Sequence, residues 1–227
     1  AVYEMYIKSG VSGNEKKLLI IPDGLLNYIP FDVLLTEKVE SKNSNPDFRN
    51  LPYLLQKYTV HYYYSSSLML FERQKSRSNG KILALAPTFK YEHQHSEEDQ
   101  RQHKIRSNVD ELPGAKQEVK ALSAVFKGTF LYDKEANESN LKKMAQEEPF
   151  SVIHLAMHGW VDAESPQYSC LVLSHVHNET EDNLLHAYEL SLLKLKADLV
   201  VLSACETGFG KYERGEGVVS IGRGFMY

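Results

Sequence analysis

Two residues in the second half of the chain have the chemistry of a nucleophile and its base. Cys205 and His158 are 47 residues apart (205 − 158), and each follows a strongly apolar run. A cysteine thiol has a reference pKa of about 8.5, so it needs a neighbouring imidazole or a positive helix terminus to become a strong nucleophile at neutral pH. The same imidazole can protonate a departing amine. The pair therefore predicts nucleophilic catalysis by cysteine, and the alternative is an inert buried thiol.

The apolar segments before these two residues are typical of β-strands. Residues 152–157 lead into His158 and Gly159, and residues 199–204 lead into Cys205. If the two strands are parallel neighbours, both side chains emerge at one edge of the sheet, where open α/β sheets bind ligands. Gly159 has no Cβ, so we expect its N–H and that of Cys205 to hold the oxyanion of a tetrahedral intermediate.

Four further residues lie near this pair in the sequence. His154 precedes His158 by four positions on the same predicted strand, so alternation places both side chains on one side, and a structural or second-shell role is expected for His154. Asp162 and Glu206 are candidates for binding a basic substrate residue, although acidic side chains are more often simply solvated. Cys170 lies within an apolar run and is expected to be a core residue.

Apolar and polar stretches alternate along the chain in a way that predicts an α/β fold. Strands are expected at 17–21, 25–31, 58–64, 81–87, 129–132, 151–157, 169–173 and 198–204. Helices are expected through 68–71, after 113, at 139–146, at 186–193 and from about 215, whereas the polar residues 89–111 predict a long loop. Such alternation favours a mostly parallel central sheet with helices on both faces.

Composition and charge argue against several classes of function. A net charge of −4 and a pI near 6.2 provide no basic field for nucleic acid or for an anionic membrane surface. No apolar run is long enough for a membrane span, and two cysteines are too few for a disulfide framework, so a cytoplasmic protein is expected. The glycines after Cys205 complete neither the dinucleotide fingerprint nor a Walker A motif. Several histidines lie in polar loops without ligand spacing, so no metal site is predicted.

Several ordered segments resemble the CHAT family, which belongs with caspases, separases and gingipains. The segment with the most specific resemblance is Leu202-Ser203-Ala204-Cys205-Glu206-Thr207-Gly208. The others are Leu19-Ile20-Ile21-Pro22-Asp23-Gly24, Ile29-Pro30-Phe31, Leu112-Pro113-Gly114-Ala115 and His154-Leu155-Ala156-Met157-His158-Gly159. The spacing of His158 and Cys205 is also close to the roughly 50 residues by which a caspase histidine precedes its cysteine.

The resemblance implies a three-layer α/β/α caspase-like sandwich in which His158 and Cys205 form the catalytic dyad. It also implies a cysteine endopeptidase that needs no cofactor, cleaves a protein or peptide substrate and serves bacterial proteolytic signalling or defence. Members of the family often follow repeat or sensor regions. We expect residues 1–111 to form an N-terminal sub-lobe and residues 112–227 a catalytic sub-lobe. CHAT domains continue past the helix after Cys205, so the catalytic sub-lobe is expected to be truncated at its C-terminus.

Two other functions remain open on the sequence alone. One is a CHAT-fold module that no longer cleaves anything and acts in signalling by binding partners. The other is a nucleotide-binding α/β domain, which the incomplete glycine patterns disfavour. The presence of both His158 and Cys205 favours the enzyme.

Overall fold

The computed structural model divides the chain into two compact units, Ala1–Glu72 and Arg73–Tyr227. This division by contacts differs from the predicted sub-lobes, whose boundary lies between residues 111 and 112. The structure describes residues 3, 7–11, 14–39, 47–66, 79–90, 100–176, 180–190, 192–193, 195–204, 211–213, 217–219 and 221–225.

The first unit contains a pair of short parallel strands and several single helical turns. Strands β1 (Lys17–Ile20) and β2 (Thr59–Tyr62) confirm two predicted strands, and helix α1 (Leu54–Lys57) precedes β2. The 3₁₀ helices are Lys8–Gly10, Gly24–Tyr28, Phe31–Val33 and Phe48–Asn50. The strand predicted at 25–31 is therefore wrong. The Asp23 side chain accepts from the N–H of Gly24, whose φ is 58°, and this turn starts a helical conformation instead.

The second unit is built on a four-stranded sheet whose neighbouring strands are all parallel. Its strands lie in the order β4 (Gly128–Tyr132), β3 (Ile82–Ala86), β5 (Phe150–Ala156) and β9 (Ala197–Ser203). All five residues of β3 are buried, as expected for an apolar strand that is covered on both faces. Strand β3 belongs to this sheet although it precedes residue 111.

Helices cover both faces of this sheet, which confirms the predicted α/β class and is consistent with a caspase-like α/β/α sandwich. Helix α3 (Pro113–Val125) places Ala115 and Val119 against one face. Helix α4 (Glu138–Glu147) places Leu141 in the core on the other face. Helix α2 (Gln100–Arg106) contributes Ile105 to the same core. Helix α2 lies where the sequence predicted only a loop, so that prediction is wrong for this segment.

A second, smaller sheet in this unit is antiparallel. Its strands are β6 (His158–Trp160), β7 (Cys170–Val172) and β8 (Leu184–His186), in that order. The predicted strand at 169–173 exists but does not belong to the parallel sheet. The helix predicted at 186–193 is described only as α5 (Ala187–Leu190), because His186 still pairs with β7.

The last described elements are a strand pair and a helical turn. Strands β10 (Lys211–Glu213) and β11 (Gly217–Val219) are antiparallel, and helix α6 (Ile221–Gly224) follows them, so the helix predicted from about 215 begins later. The helix predicted through 68–71 lies outside the described residues. None of the described helices combines the length and the apolar composition that a membrane crossing requires.

Candidate active site

The strands that lead to the two predicted catalytic residues are direct neighbours. Strands β5 and β9 pair in parallel with Ala156 opposite Ser203, and the N–H of Met157 donates to the carbonyl of Ser203 at 3.3 Å. Their carboxyl ends therefore reach the same edge of the sheet, as the sequence predicted. His158 follows this edge by two residues. Cys205 and Glu206 lie outside the described residues.

The imidazole of His158 is held by a carbonyl and an aromatic ring. Its Nε2 lies 2.7 Å from the carbonyl oxygen of Asp110, and its ring meets that of Phe89 edge to face with centroids 4.6 Å apart. A carbonyl oxygen only accepts hydrogen bonds, so this contact requires the proton on Nε2. In the neutral imidazole, Nδ1 is then the nitrogen that can accept a proton.

Gly159 lies in the middle of strand β6. It is opposite Leu171 of β7, and its neighbour Trp160 is opposite Cys170. A bend at Met157 separates β6 from the end of β5, so Gly159 belongs to the antiparallel sheet while Ala156 belongs to the parallel one. Its role in holding an oxyanion stays a prediction.

His154 lies beneath this edge and contacts helix α3 through Glu118. The imidazole is almost fully buried, and its Nε2 lies 3.0 Å from Oε1 of Glu118, although the two atoms are not aligned for a hydrogen bond. The other oxygen of Glu118 accepts from the hydroxyl of Ser203 at 2.9 Å. Glu118 thus joins β5 to β9 from the helix. No sequence motif marks Glu118, although its place beside the core-facing Val119 of an amphipathic helix brings it close to the sheet.

Asp162 lies two residues after the end of β6, and both oxygens of its carboxylate are bound by other groups of the chain. One oxygen contacts the guanidinium of Arg101 at 2.5 Å, and the other accepts from the N–H groups of Glu164 and Ser165 at 3.0 and 2.7 Å. The Arg101 guanidinium also lies 4.4 Å from the centroid of the Tyr168 ring. These contacts give Asp162 a structural role, and binding of a basic substrate residue by Asp162 stays a prediction.

Three carboxylates converge on one lysine beside helix α4. The amine of Lys142 lies 2.7 Å from Glu138, 2.6 Å from Glu181 and 2.8 Å from Glu189. The carboxylate oxygens lie within 4.8 Å of one another, a spacing that suits a metal ion, but the ammonium group already provides the cation between them. Burial raises the pKa of Glu138 to about 7, although Lys142 opposes this shift. Burial alone would lower the pKa of Lys142, but its carboxylate partners raise it.

A buried arginine and a buried histidine organise the connection between β7 and β8. The guanidinium of Arg106 donates to the carbonyls of Leu173, Asp182 and Asn183 at 3.0 to 3.2 Å. The Nδ1 atom of His186 lies 3.0 Å from the carbonyl of Tyr168, and its Nε2 lies 3.4 Å from a carboxylate oxygen of Asp182. Burial would lower the pKa of His186, but these two acceptors raise it.

Cys170, the other cysteine of the chain, lies in the core on strand β7. Burial, and secondarily the charge of Asp182, raises the pKa of its thiol to about 12. A thiol in this state is hardly ionised at neutral pH and has no access to solvent, so it is not a nucleophile. The position agrees with the core role that the sequence predicted.

Comparison with known proteins places the whole chain in one family. A family model described as the CHAT domain matches residues 2–227. No curated protein matches the chain. The match covers both units of the structure and includes the parallel strands β5 and β9 with the residues that follow them. The chain therefore belongs to the CHAT domain family, which is caspase-like and related to the cysteine peptidases.

Proposed function

We propose that this protein is a cysteine endopeptidase in which His158 and Cys205 form a dyad. The observation that carries the proposal is the direct parallel pairing of β5 with β9. Because Cys205 follows Ser203 by only two residues, the backbone limits how far its thiol can lie from the edge that His158 occupies. The contact of Nε2 with Asp110 supports the same proposal, since it leaves Nδ1 of His158 as the proton acceptor.

The reaction follows from the chemistry of the two side chains. His158 takes the thiol proton, and the sulfur of Cys205 forms a bond to the carbonyl carbon of the scissile peptide. The N–H groups of Gly159 and Cys205 stabilise the resulting oxyanion. When this intermediate collapses, the C–N bond breaks, His158 protonates the departing amine and a thioester remains. Water, deprotonated by His158, then hydrolyses the thioester and regenerates the thiol.

The biological setting belongs to the same proposal. The substrate class is a protein or peptide, no cofactor takes part, and proteolytic signalling or defence in the bacterial cytoplasm is the expected role. Glu206, and Asp162 if its contact with Arg101 opens, would favour a basic residue before the cleaved bond because of their negative charge. Cleavage of a peptide library would test this preference directly.

Alkylation of the thiol tests the dyad without knowledge of the substrate. At pH 7, iodoacetamide should label Cys205 of the parent protein about tenfold or more faster than Cys205 of the His158→Ala variant. Without a neighbouring base, a thiol with a pKa of about 8.5 is only about 3% ionised at this pH. Mass spectrometry of the labelled peptides separates Cys205 from the buried Cys170. The matched control is His61→Ala, which removes an exposed histidine from strand β2 of the first unit.

Two outcomes decide the proposal. A dependence of Cys205 labelling on His158, with no change in His61→Ala, supports the dyad, and cleavage of peptides should then fall by about 10²- to 10⁴-fold in His158→Ala. If labelling of Cys205 proceeds at the same rate with and without His158, the dyad is refuted. The non-cleaving signalling module would then be the better description.

A further inference from the structure

The carboxylate of Glu111 joins two segments that approach the imidazole of His158. One oxygen of this carboxylate accepts from the backbone N–H of Phe89 at 2.5 Å and from the hydroxyl of Thr88 at 2.8 Å. Thr88 and Phe89 follow strand β3, whereas Glu111 lies two residues before the start of helix α3. These bonds therefore fix the distance between the end of β3 and the start of α3 at the carboxyl edge of the sheet.

Each of the two joined segments supplies one contact to His158. The segment after β3 supplies the ring of Phe89, which is buried and meets the imidazole edge to face at 4.6 Å. The segment before α3 supplies the carbonyl of Asp110, which lies 2.7 Å from Nε2. Asp110 and Glu111 share a peptide bond, and the N–H that Glu111 binds is that of Phe89 itself. Movement of Glu111 therefore displaces both groups that hold the imidazole.

The position of Glu111 separates an effect on geometry from an effect on stability. Glu111 is exposed, but the N–H of Phe89 that donates to it is partly buried, so the cost of its removal to the free energy of unfolding is measured separately from the loss of reactivity. A displacement of about 1 Å of a catalytic group, by contrast, can lower a reaction rate by about 10²-fold. A residue with only a structural role would change stability and reactivity together.

We infer that Glu111 is a positioning residue for His158, which sets the tautomer and the orientation of the imidazole through Asp110 and Phe89. The inference rests on the proposed function, because His158 needs this orientation only if it accepts a proton. It assigns a role to a carboxylate that does not touch the reacting atoms. The negative charge of Glu111 strengthens both hydrogen bonds, but the geometry requires only an oxygen that accepts twice.

Three variants test the inference. Glu111→Ala removes the acceptor, Glu111→Gln retains a carbonyl oxygen at the same place, and Glu148→Ala is the matched control. Glu148 is an exposed glutamate that pairs with Lys81 at 3.0 Å at the opposite, amino-terminal edge of the sheet. Thermal unfolding, followed by circular dichroism, establishes that each variant is folded. If Glu111→Ala does not fold, Thr88→Val is used in its place, because it removes one of the two groups that donate to Glu111.

The first readout is the state of the His158 ring itself. Nitrogen-15 NMR of the ring distinguishes a protonated from an unprotonated Nε2, and the protein should show Nε2 protonated when the imidazole is neutral. Glu111→Ala should produce a mixture of tautomers, whereas Glu111→Gln and Glu148→Ala should retain the original one. Unchanged ring signals in Glu111→Ala would overturn the inference.

The second readout is the rate at which iodoacetamide labels Cys205 as the pH varies. Glu111→Ala should lower the rate at pH 7 by up to about tenfold, and by no more than His158→Ala does, and Glu111→Gln should restore most of it. An equal loss in Glu148→Ala would overturn the inference, because the effect would then not be specific to this edge. If labelling never depends on His158, the proposed dyad fails, while the ring signals still decide whether Glu111 positions the imidazole.

Discussion

Glu138 makes the stability of the protein depend on pH in a direction opposite to that of most carboxylates. Its side chain is completely buried at the first turn of helix α4, where it shares Lys142 with two other carboxylates. The cluster therefore contains three carboxylates and one ammonium group. Burial raises the pKa of Glu138 from 4.5 to about 7, since one lysine does not compensate the desolvation of this carboxylate.

The size of the effect follows from this pKa. At about 1.4 kcal/mol for each pH unit, a rise from 4.5 to about 7 corresponds to about 3 kcal/mol. The folded protein binds this proton more tightly than the unfolded chain, so the free energy of unfolding should fall as the pH rises from about 4.5 to about 7, and change no further above that range. The helix N-terminus favours a negative charge by only about 0.3–1 kcal/mol, which is too little to reverse the sign.

Urea unfolding of Glu138→Gln and of the parent protein at several pH values tests this reasoning. The free energy of unfolding of the variant, relative to that of the parent, should increase by about 3 kcal/mol between pH 4.5 and pH 8. The matched control is Glu147→Gln, which removes an exposed carboxylate from the same helix. A relative stability of Glu138→Gln that does not change with pH would refute the argument that burial raises this pKa.

Three further predictions concern packing and reactivity. In Gly128→Ala, the new Cβ would lie 1.9 Å from the carbonyl oxygen of Ile82, so urea unfolding should show that the free energy of unfolding falls by more than about 3 kcal/mol. The control is Gly114→Ala, in which the new Cβ meets nothing within 4 Å, and its free energy of unfolding should change by less than about 1 kcal/mol. Arg106→Lys retains the charge, but its single ammonium nitrogen cannot occupy both positions from which Nη1 and Nη2 of the guanidinium donate to the three carbonyls. The free energy of unfolding should therefore fall by about 2–5 kcal/mol, measured in the same way. Cys170 should not react with iodoacetamide in the folded protein and should react once urea has unfolded it, because its thiol is buried and has a pKa of about 12. Labelling of Cys170 without urea would contradict its placement in the core.

The sequence was sufficient to predict the elements whose apolar residues are contiguous. Strand β3 consists of five apolar residues in a row, and strands β5 and β9 are long apolar segments, so their strand character and their shared edge could be predicted. His158 and Cys205 were identified because they directly follow such segments. The placement of Cys205 itself remains a prediction.

The features that the sequence analysis missed depend on contacts between distant residues. Helix α2 is largely polar and contains only one aliphatic residue, Ile105, so it depends on the burial of that side chain and of the Arg106 guanidinium. The contact of Glu111 with Phe89 joins residues 22 positions apart, and that of Glu118 with Ser203 joins residues 85 positions apart. No local periodicity encodes such pairs, because hydrophobic spacing reports only which face of an element is buried.

The order of the strands has a consequence for the synthesis of the protein. Strand β3 lies between β4 and β5, so both of its edges are paired only after the ribosome has released 70 further residues (156 − 86), up to the end of β5. At about 5–20 residues per second, this takes roughly 4–14 s. During that interval the nascent chain exposes the aliphatic strand β3 without one or both of its neighbouring strands. An unpaired strand of this kind is a natural target for chaperones that bind apolar segments.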